Sequence, residues 1–476
     1  MPEREASFFL TLDQGSHASK ALVFDAEGHC LGAGECGITT QRPGPDRVEH
    51  DAEEVLDSLR TAIGEACRSA QLDPGRLAAA GLATQRSSVV CWDRQSGAAL
   101  SPVLSWQDRR HAGWLKALRL DPERVHAITG LVVAPHYGAS KLRWCLDELD
   151  EVARAHDTGR LCFGPLASYL VSGLLEERPC LADPANASRT LLYDLERQDW
   201  SAEMLSAFGI PRDALPRCVP SRYEFGRLKI GKAAVPLKVV TGDQSAALFA
   251  GGLPRDDTLF LNIGTGAFVQ RVCEGRPPPA PGLLHGVAWV DEQGSLGVLE
   301  GTVNGAAAAV HWLAEERGED ARSLVAHADE WLATVSEPPL FSNGVGGLGS
   351  PFWIADYPIG FSEDAGIEKE MVAVLESIVF LLQANIDAFG AAFPDRPPAR
   401  IRVSGGLSQL DGLCQRLADL SGLEVERPGE LEATVRGVGF LIGARVELPD
   451  DPRCFQPGRC SVLRERHIRS LNGVDC

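Results

Sequence analysis

FFLTLDQGSHASKALVF, at residues 8–24, and TLFLNIGTGAFVQRV, at residues 258–272, follow one pattern in the two halves of the sequence. In each, an apolar run leads to a polar residue, then to glycine beside a hydroxyl residue, and then to a second apolar run. Glycine in a tight turn between apolar runs is typical of a β-hairpin. Asp13 and Asn262 lie 249 residues apart, and the turn glycines keep the same spacing. The constant spacing predicts two related halves that face each other.

Helical and strand-like patterns alternate outside these hairpins. Asp51 is placed to cap a helix, because an acidic residue follows three positions later and apolar residues recur at helical spacing from Val55 onward. A second helix is predicted near residues 371–389, and strands are predicted at 235–241 and 400–404. Strands that alternate with helices indicate an α/β protein.

The length and composition of the chain predict more than one domain. A chain of 476 residues with 44% hydrophobic content is long enough for two or three domains, each with its own core. We predict an N-terminal domain over residues 1–250 and a C-terminal domain over residues 251–448. Residues 449–476 are rich in Pro, Arg and Cys, and we predict an irregular C-terminal extension there.

Charge and targeting signals exclude several classes of function. The formal net charge is −19, so the surface repels nucleic acid and anionic membranes. The N-terminus has no secretory signal, and the apolar run around residues 378–382 is far shorter than a membrane span. The 13 cysteines form no C-x-x-C pair, which favours reduced thiols over a zinc site or a disulfide framework. We expect a cytoplasmic protein that binds neither nucleic acid nor membranes.

The two hairpin turns carry residues that suit phosphoryl transfer. That reaction needs donors for the phosphates, an anchor for Mg²⁺ and a base at the acceptor hydroxyl. Turns 13–16 and 264–266 expose backbone N–H groups suited to phosphate oxygens, and Asp13 offers the hard oxygen ligands that Mg²⁺ prefers. Two ordinary hairpins with turn-forming Asp and Gly fit the same residues.

Two further segments place polar or glycine residues directly after strands. Asp243 follows the apolar run 237–240, where it could act as a general base in a cleft or cap the helix that follows. The glycines in Ser404-Gly405-Gly406-Leu407 follow strand 400–404. They permit a nucleotide to approach the backbone, and they also fit a plain strand-to-helix turn.

Segments 85–87 and 105–110 combine polar and aromatic residues. Arginine supplies fixed donors and tryptophan an apolar face, a combination that suits recognition of hydroxyl groups and the C–H groups beside them. A surface ion-pair cluster with a core Trp is the alternative interpretation.

Together these segments resemble the FGGY carbohydrate kinases, and among them the glycerol kinases. The resemblance extends to about residue 447, and the matching stretches are LDQGSHASKALVFD, RVEHDAEEV, GLATQRSSVVCWDRQSGAAL, LSWQDRR, SKLRW, DPANASRTLLYDL, TGDQSAALFAG, NIGTGAF, GLGSPFW and VSGGLS. The family's name motif is degenerate here, as His136-Tyr137-Gly138. The resemblance implies a two-domain actin-like ATPase fold, of the ribonuclease H-like class, with the active site in the interdomain cleft.

The resemblance also implies roles for individual residues, with ATP and Mg²⁺ as cofactors. Asp13 would coordinate Mg²⁺, and Asp243 would be the catalytic base. The acceptor pocket would be lined by Arg86, Ser87, Trp106, His136, Asp243, Gln244 and Phe268. The nucleotide and its phosphates would be contacted by Ser16, His17, Lys20, Gly264, Thr265, Gly266, Ala307, His311, Gly405, Gly406 and Leu410.

Some of these residues differ from those usual in glycerol kinases. Near the phosphates, His17 and Lys20 stand where Thr and Arg are usual. In the acceptor pocket, Ser87 and His136 replace a Glu and a Tyr, so we predict an acceptor with at least one more carbinol unit than glycerol. The alternative is that water fills the gap and glycerol remains the acceptor. Near the adenine, the usual Gly, Gln and Asn are replaced by Ala307, His311 and Leu410.

The sequence therefore predicts an ATP-dependent kinase of a small polyol or sugar. One alternative is a catalytically weak sensor or scaffold of the same fold, and another is an actin-like chaperone or structural ATPase. Retention of both Asp13 and Asp243 favours the kinase over the sensor, and the segments around Arg86 and Trp106 favour it over the structural ATPase. Relatives are commonly dimers or tetramers, so a homo-oligomer is compatible with the resemblance.

Overall fold

The computed structural model describes residues 7–429, 432–445 and 452–471. The N-terminal half, up to residue 250, alternates strands with helices. Its strands are β1 (Phe8–Gln14), β2 (Ala18–Phe24), β3 (Cys30–Gly37), β4 (Gln41–Gly44), β5 (Arg47–His50), β6 (Leu77–Thr84), β7 (Val89–Asp93), β8 (Val103–Leu104), β9 (Leu161–Pro165), β10 (Leu181–Ala182), β11 (Tyr193–Asp194), β12 (Asp199–Trp200), β13 (Arg217–Cys218), β14 (Arg222–Ile230) and β15 (Ala233–Gly242). Its helices are α1 (Ala52–Ser69), α2 (Ala112–Ala117), α3 (Pro122–Thr129), α4 (Gly138–Glu148), α5 (Asp150–Asp157), α6 (Leu166–Leu174), α7 (Pro184–Ala187), α8 (Ala202–Phe208) and α9 (Asp243–Ala247).

The C-terminal half, from residue 251, has the same alternation. Its strands are β16 (Thr258–Ile263), β17 (Ala267–Glu274), β18 (Leu284–Asp291), β19 (Gly294–Val303), β20 (Phe341–Asn343), β21 (Ile359–Phe361), β22 (Arg400–Ser404), β23 (Glu424–Arg427) and β24 (Arg453–Phe455). Its helices are α10 (Ala307–Arg317), α11 (Ala321–Thr334), α12 (Ile367–Ala392), α13 (Asp411–Ser421), α14 (Ala433–Ile442) and α15 (Ser461–Leu471).

Each half is built on one large mixed sheet with the same central arrangement. In the N-terminal sheet, β1 pairs antiparallel with β2 and parallel with β6, and β6 pairs parallel with β15. In the C-terminal sheet, β16 pairs antiparallel with β17 and parallel with β22, and β22 pairs parallel with β23. A third antiparallel strand lies beside each hairpin, β3 next to β2 and β19 next to β17. The predicted repeat of the hairpin in the two halves is confirmed.

Helix α1 begins where the sequence predicts. The Asp51 carboxylate accepts a hydrogen bond of 2.8 Å from the Glu54 amide, which satisfies one of the donors left unpaired at a helix start. The predicted apolar face, including Val55, Leu59 and Ala62, is buried, and the helix packs on β2 and β3. This packing covers the β2–β3 side of one face of the N-terminal sheet.

Helix α12 extends beyond the predicted range of 371–389 at both ends. By length and composition it could cross a membrane, but 83% of its most apolar window is buried inside the structure. Met371, Ile378 and Phe389 on this helix belong to the core of the C-terminal half. Its apolar character is accounted for by this core position.

Helix α14 belongs by sequence to the C-terminal half but packs on the N-terminal sheet. Val438 and Ile442 lie so close to β6 that a Cβ at Gly81 would meet their methyl groups at 2.5 and 2.8 Å. The helix also packs closely on α9, with Gly437 against Ala246. The chain therefore returns to its first half near its end, and α14 ties the two halves together.

The prediction of an irregular C-terminal extension is wrong for residues 452–471. Strand β24 extends the C-terminal sheet by pairing with β23, and helix α15 docks on the C-terminal core. Arg466 on α15 is buried and bonds the Glu376 carboxylate at 2.8 Å, together with the carbonyl oxygens of Pro338 and Pro339. These partners lie far away in sequence, so composition alone did not reveal the docking. Residues 449–451 and 472–476 of the predicted extension lie outside the described residues.

Candidate active site

A cavity of about 480 Å³ lies between the two halves and receives side chains from both. From the N-terminal half it is lined by Asp13, Lys20, Asp243, Gln244, Ala247 and Leu248. From the C-terminal half the lining includes Asn262, Gln270, Ser404, Gly405, Gly406, Glu432 and Thr434. Six predicted site residues thus share one cavity: Asp13, Lys20, Asp243, Gln244, Gly405 and Gly406.

Asp13 lies near the end of β1, directly opposite Lys20 on β2. Its Oδ1 atom is buried and has no hydrogen-bond partner among the described residues. Burial, together with the negative charge of Asp243, raises the pKa of Asp13 to about 7. A buried carboxylate oxygen without a donor has the chemistry of a cation ligand, and therefore fits Mg²⁺.

Lys20 connects the phosphate-side hairpin with the C-terminal half. Its Nζ atom lies 2.6 Å from Oε1 of Glu432, just before helix α14. Burial works against the lysine charge, but the contact with Glu432 outweighs it and raises the pKa of Lys20. Lys20 is thus charged in the cavity, as binding of phosphate oxygens requires.

Asp243 is the first residue of α9, directly after β15. The N-cap of α9 is Gly242, so the alternative that Asp243 is a helix cap is wrong. The Asp243 carboxylate is 30% exposed and lies 3.9 Å from the Arg86 Nε atom. Its surroundings raise its pKa through desolvation, although the Arg86 charge acts in the opposite direction. A carboxylate with a raised pKa is a stronger proton acceptor than an ordinary aspartate.

Arg86 passes closely over the strand end that carries Asp243. A Cβ at Gly242 would lie 2.6 Å from both Cγ and Cδ of Arg86, so any larger residue there would force the Arg86 side chain to shift. The guanidinium donates from Nη1 to Oε1 of Glu300 at 2.8 Å. Glu300 also accepts from Gln270 at 2.5 Å and pairs with Arg189. The predicted acceptor residue Arg86 is therefore held by a carboxylate from the other half.

The two polar and aromatic segments of the predicted acceptor pocket lie side by side. The buried Lys141 ammonium donates to the Ser87 carbonyl at 3.1 Å and to the Ser105 carbonyl at 2.7 Å. Burial lowers the pKa of Lys141 to about 7. Trp106 donates from its indole nitrogen to the Ser16 hydroxyl at 2.9 Å. Arg86 pairs with Glu300, and Arg110 pairs with Asp108 and Glu49. The alternative of an ion-pair cluster is therefore correct for these arginines, but the clusters are buried rather than at the surface.

The second hairpin turn is joined to the start of α10. The Gly264 amide donates to the Gly266 carbonyl at 2.9 Å, and the amides of Ala307 and Ala308 donate to the carbonyls of Gly264 and Thr265. The Thr265 side chain remains exposed at the tip of the turn. The hairpin, the start of α10 and Ala307 thus form one continuous surface, with His311 exposed on the next turn of the helix.

The other predicted residues do not line the cavity, and these include Ser16, Arg86, Ser87 and Trp106. His17 and His136 are exposed, and Phe268 is half-buried on β17. Leu410 is only 6% exposed and belongs to the C-terminal core, so the structure does not support a direct contact between Leu410 and a nucleotide. The position that carries Asn in relatives is filled here by a core leucine.

Several residues of the site had no role in the sequence prediction. Lys141 and Arg189 lie within the stretches SKLRW and DPANASRT. These stretches match the family, but the match alone does not indicate a role for either residue. The sequence around Glu300 and Glu432 does not indicate a role for either residue, because each pairs with a residue of the other half.

Comparison with known proteins identifies the family. A model of the N-terminal domain of the FGGY family of carbohydrate kinases matches residues 8–250, and a model of its C-terminal domain matches residues 259–444. A glycerol kinase from Geobacter sp. (strain M21) is 34% identical over 456 residues, which cover 92% of this chain and 90% of the relative. A glycerol kinase from Natranaerobius thermophilus is 32% identical over 458 residues, with the same coverage.

Solved structures agree on the fold. A glycerol kinase from Plasmodium falciparum with ADP superposes with a TM-score of 0.87 at 20% identity, covering 98% of this chain and 97% of that one. A xylulose kinase from Rhodospirillum rubrum gives a TM-score of 0.83 at 19% identity, with the same coverage. The predicted two-domain α/β fold is confirmed. The chain belongs to the FGGY family of carbohydrate kinases, and it is an ATP-dependent kinase of a carbohydrate or polyol.

Proposed function

We propose that this kinase transfers the γ-phosphoryl group of ATP to a hydroxyl of a small polyol or sugar, with Asp243 as the general base. The observation that carries the proposal is the position of Asp243, which lines the same cavity as Asp13 and Lys20 at the end of β15. Its carboxylate has a raised pKa and is only loosely approached by Arg86, at 3.9 Å. Both features favour acceptance of a proton.

The proposed phosphoryl transfer uses these groups in the following way. The acceptor hydroxyl gives its proton to the Asp243 carboxylate, and its oxygen forms a bond to the γ-phosphorus. The bond between that phosphorus and the bridging oxygen breaks, and ADP leaves with the electron pair. Lys20 supplies a positive charge beside the phosphates, while Arg86, Trp106, Gln244 and Phe268 orient the acceptor.

Asp13 is the residue that would hold Mg²⁺. Its buried, unpartnered Oδ1 atom fits a cation, and one carboxylate suffices because Mg²⁺ usually completes its shell with waters and phosphate oxygens. When bound, the ion would neutralise charge on the phosphates.

The nucleotide would lie along the C-terminal side of the cavity. Gly405 has a φ of +90° and follows β22, where a side chain would meet the Ile263 backbone at 2.7 Å. This leaves a bare backbone at Gly405 and Gly406 that a nucleotide can approach closely. We place the phosphates near Ser16, His17 and the turn around Thr265, and the adenosine toward Ala307 and His311.

For the acceptor, we propose a four- or five-carbon polyol or ketose in preference to glycerol. The sequence relatives at 32–34% identity are glycerol kinases, which favours a small polyol. The resemblance to glycerol kinases implies a glutamate at the position of Ser87, and a serine there leaves more space beside Arg86 and no charge. An additional carbinol unit would fill that space.

A coupled assay of ADP release tests the proposal. Purified protein with MgATP is incubated with glycerol, erythritol, ribitol, D-xylulose or D-ribulose, or without acceptor. We expect ADP release that depends on the acceptor, with a product of phosphorylated polyol or ketose. ATP hydrolysis that no acceptor stimulates would contradict the proposal and favour the structural ATPase, and nucleotide binding without turnover would favour the sensor.

A further inference from the structure

We propose that Glu300 is a positioning residue for phosphoryl transfer, because it holds Arg86 in the acceptor pocket and away from the base Asp243. The inference rests on the proposed function of Arg86 and Asp243. Glu300 lies on β19 of the C-terminal half, whereas Arg86 and Asp243 belong to the N-terminal half. The C-terminal half therefore contributes Glu300 to the acceptor side of the N-terminal half.

The contacts of Glu300 use both of its carboxylate oxygens. Oε1 accepts from Arg86 at 2.8 Å and from Gln270 at 2.5 Å, and Oε2 pairs with Arg189. Gln270 lies directly opposite Glu300 in the pairing of β17 with β19, so the sheet itself fixes the carboxylate. The Glu300 side chain is 2% exposed. Burial alone would raise its pKa, but the two guanidinium groups more than compensate and lower it, so Glu300 is ionised.

The alternative partner of Arg86 is Asp243. The Arg86 Nε atom already lies 3.9 Å from Asp243 Oδ1, while its Nη1 is bonded to Glu300. Buried guanidinium groups require an anionic partner. Without the Glu300 charge, Arg86 would move the short distance to Asp243 and form a close ion pair. That pair would lower the proton affinity of the base and withdraw the guanidinium from the acceptor.

The Glu300→Gln variant tests this inference because it keeps the size of the side chain and removes the charge. We expect kcat/KM for the best acceptor of the panel to fall by about tenfold or more, as for the loss of one charge-assisted hydrogen bond. The KM for ATP should remain within about twofold, because Glu300 does not line the cavity in which we place the nucleotide.

Glu376→Gln is the matched control. Glu376 on α12 is a buried carboxylate that also contacts two arginines, Arg466 at 2.8 Å and Arg416 at 3.4 Å, but the other contacts of these arginines are backbone carbonyls of the C-terminal half rather than Asp243. Its loss should lower the melting temperature and leave the kinetic constants unchanged. An equal loss of acceptor kcat/KM in both variants would overturn the inference.

A double-mutant cycle separates positioning from a general loss of structure. If Glu300 acts through Arg86, the Glu300→Gln change should have little further effect on kcat/KM in an Arg86→Ala background. Full additivity of the two effects would overturn the inference.

A second variant keeps the test valid if Glu300→Gln does not fold. Gly242→Ala places a Cβ against Arg86 and displaces the guanidinium while Glu300 stays intact. We expect the same selective loss for the acceptor, and a normal acceptor KM in folded Gly242→Ala protein would overturn the inference.

A wild-type protein without acceptor-dependent turnover would overturn the proposed function and this inference with it, whereas an active wild type with an unchanged Glu300→Gln variant overturns the inference alone.

Discussion

Two aspartates line the cleft, and their different partners account for their different proposed roles. Asp13 has a buried oxygen without a donor, which fits a cation. Asp243 is approached by Arg86 at 3.9 Å and accepts a hydrogen bond from the Gln244 amide at 2.7 Å, so one face of its carboxylate is oriented and the other is available to an acceptor hydroxyl. The same type of side chain therefore suits the proposed metal binding at one position and the proposed proton transfer at the other.

Replacement of Asp243 by asparagine tests the base directly. The amide keeps the shape of the side chain but cannot accept the hydroxyl proton, so we expect kcat to fall by roughly 10²–10⁴-fold. Binding of ATP, measured by calorimetry, should persist because the phosphate-side residues are unchanged. A kcat near that of the wild type would remove Asp243 from the role of base.

Replacement of Asp13 by asparagine should stabilise the metal-free protein, and more so at alkaline than at acidic pH. The folded-state pKa of Asp13 is about 7, above its ordinary value of 3.8. The folded state therefore loses stability as pH rises from about 4 to about 7, because Asp13 must ionise in a buried position. Asparagine does not titrate and avoids this loss.

Thermal unfolding in EDTA at pH 5 and pH 8 measures this effect. The increase in melting temperature of Asp13→Asn over wild type should be larger at pH 8, and excess Mg²⁺ should reduce it. A difference between the two proteins that does not depend on pH would contradict the assigned environment of Asp13.

Ser87→Glu should move acceptor preference toward glycerol. Ser87 has a φ of +64°, so serine and glutamate both adopt the left-handed conformation and the backbone cost is similar. Glutamate adds a charged acceptor for glycerol hydroxyls, and we expect the ratio of kcat/KM for glycerol to that for erythritol to rise by about tenfold. Ser87→Gln provides the control for side-chain length without charge. If glycerol already leads the wild-type panel, the argument for a wider pocket is wrong.

At the level of single residues, the sequence predicts the site residues that belong to local motifs. Asp13 lies near the end of β1, shortly before a glycine, and Asp243 follows β15 and begins α9; both line the cavity. Glu300 could not be found in the same way, because its role depends on Arg86 and Arg189, more than 100 residues away in the chain. Long-range ion pairs leave no periodicity in the sequence.

At the level of elements, local patterns predicted the hairpins and failed for the C-terminal extension. The hairpin turns and alternation of β1–β2 and β16–β17 are encoded within about fifteen residues each. Helix α15 is polar on most of its surface, and its docking depends on the buried ion pair of Arg466 with Glu376. The sequence alone does not distinguish an arginine that is buried against a distant partner from an arginine that is exposed to solvent.

Two glycine-to-alanine substitutions in helices should have opposite effects on stability. A Cβ at Gly437 in α14 would lie 1.8 Å from the Ala246 carbonyl oxygen of α9, a backbone atom that cannot move aside easily. We expect Gly437→Ala to destabilise the protein by about 1–3 kcal/mol. A Cβ at Gly64 in α1 meets nothing within 4 Å, so Gly64→Ala should stabilise it by about 0.5–1 kcal/mol.

Denaturant unfolding of both variants provides the measurement. Gly437→Ala should also lower kcat, because α9 carries Asp243 and the Thr434 hydroxyl of α14 lies 3.5 Å from the Asp243 carbonyl oxygen. Equal stabilities of the two variants would contradict the close packing of α14 on α9.

At the scale of the whole molecule, the halves are joined both by packing and by polar contacts. Helix α14 packs on the N-terminal sheet, and β18 packs on α7 and α9. Glu300 pairs with Arg86 and Arg189, and Lys20 bonds Glu432. Movement of one half against the other would change these polar contacts.

The last prediction is a contraction of the molecule when both substrates are bound. The proposed acceptor residue Arg86 lies in the N-terminal half, and the proposed nucleotide backbone at Gly405–Gly406 lies in the C-terminal half, so neither ligand alone contacts both sides fully. Closure on both would exclude water and limit wasteful hydrolysis of ATP. The Asp243→Asn variant allows the measurement, because it should bind both ligands without turnover. Small-angle X-ray scattering should give a smaller radius of gyration with MgATP and acceptor together than with either ligand alone. An unchanged radius, with binding of both ligands verified by calorimetry, would contradict a large closure and leave rearrangement of the ion pairs at the cleft as the response to substrate.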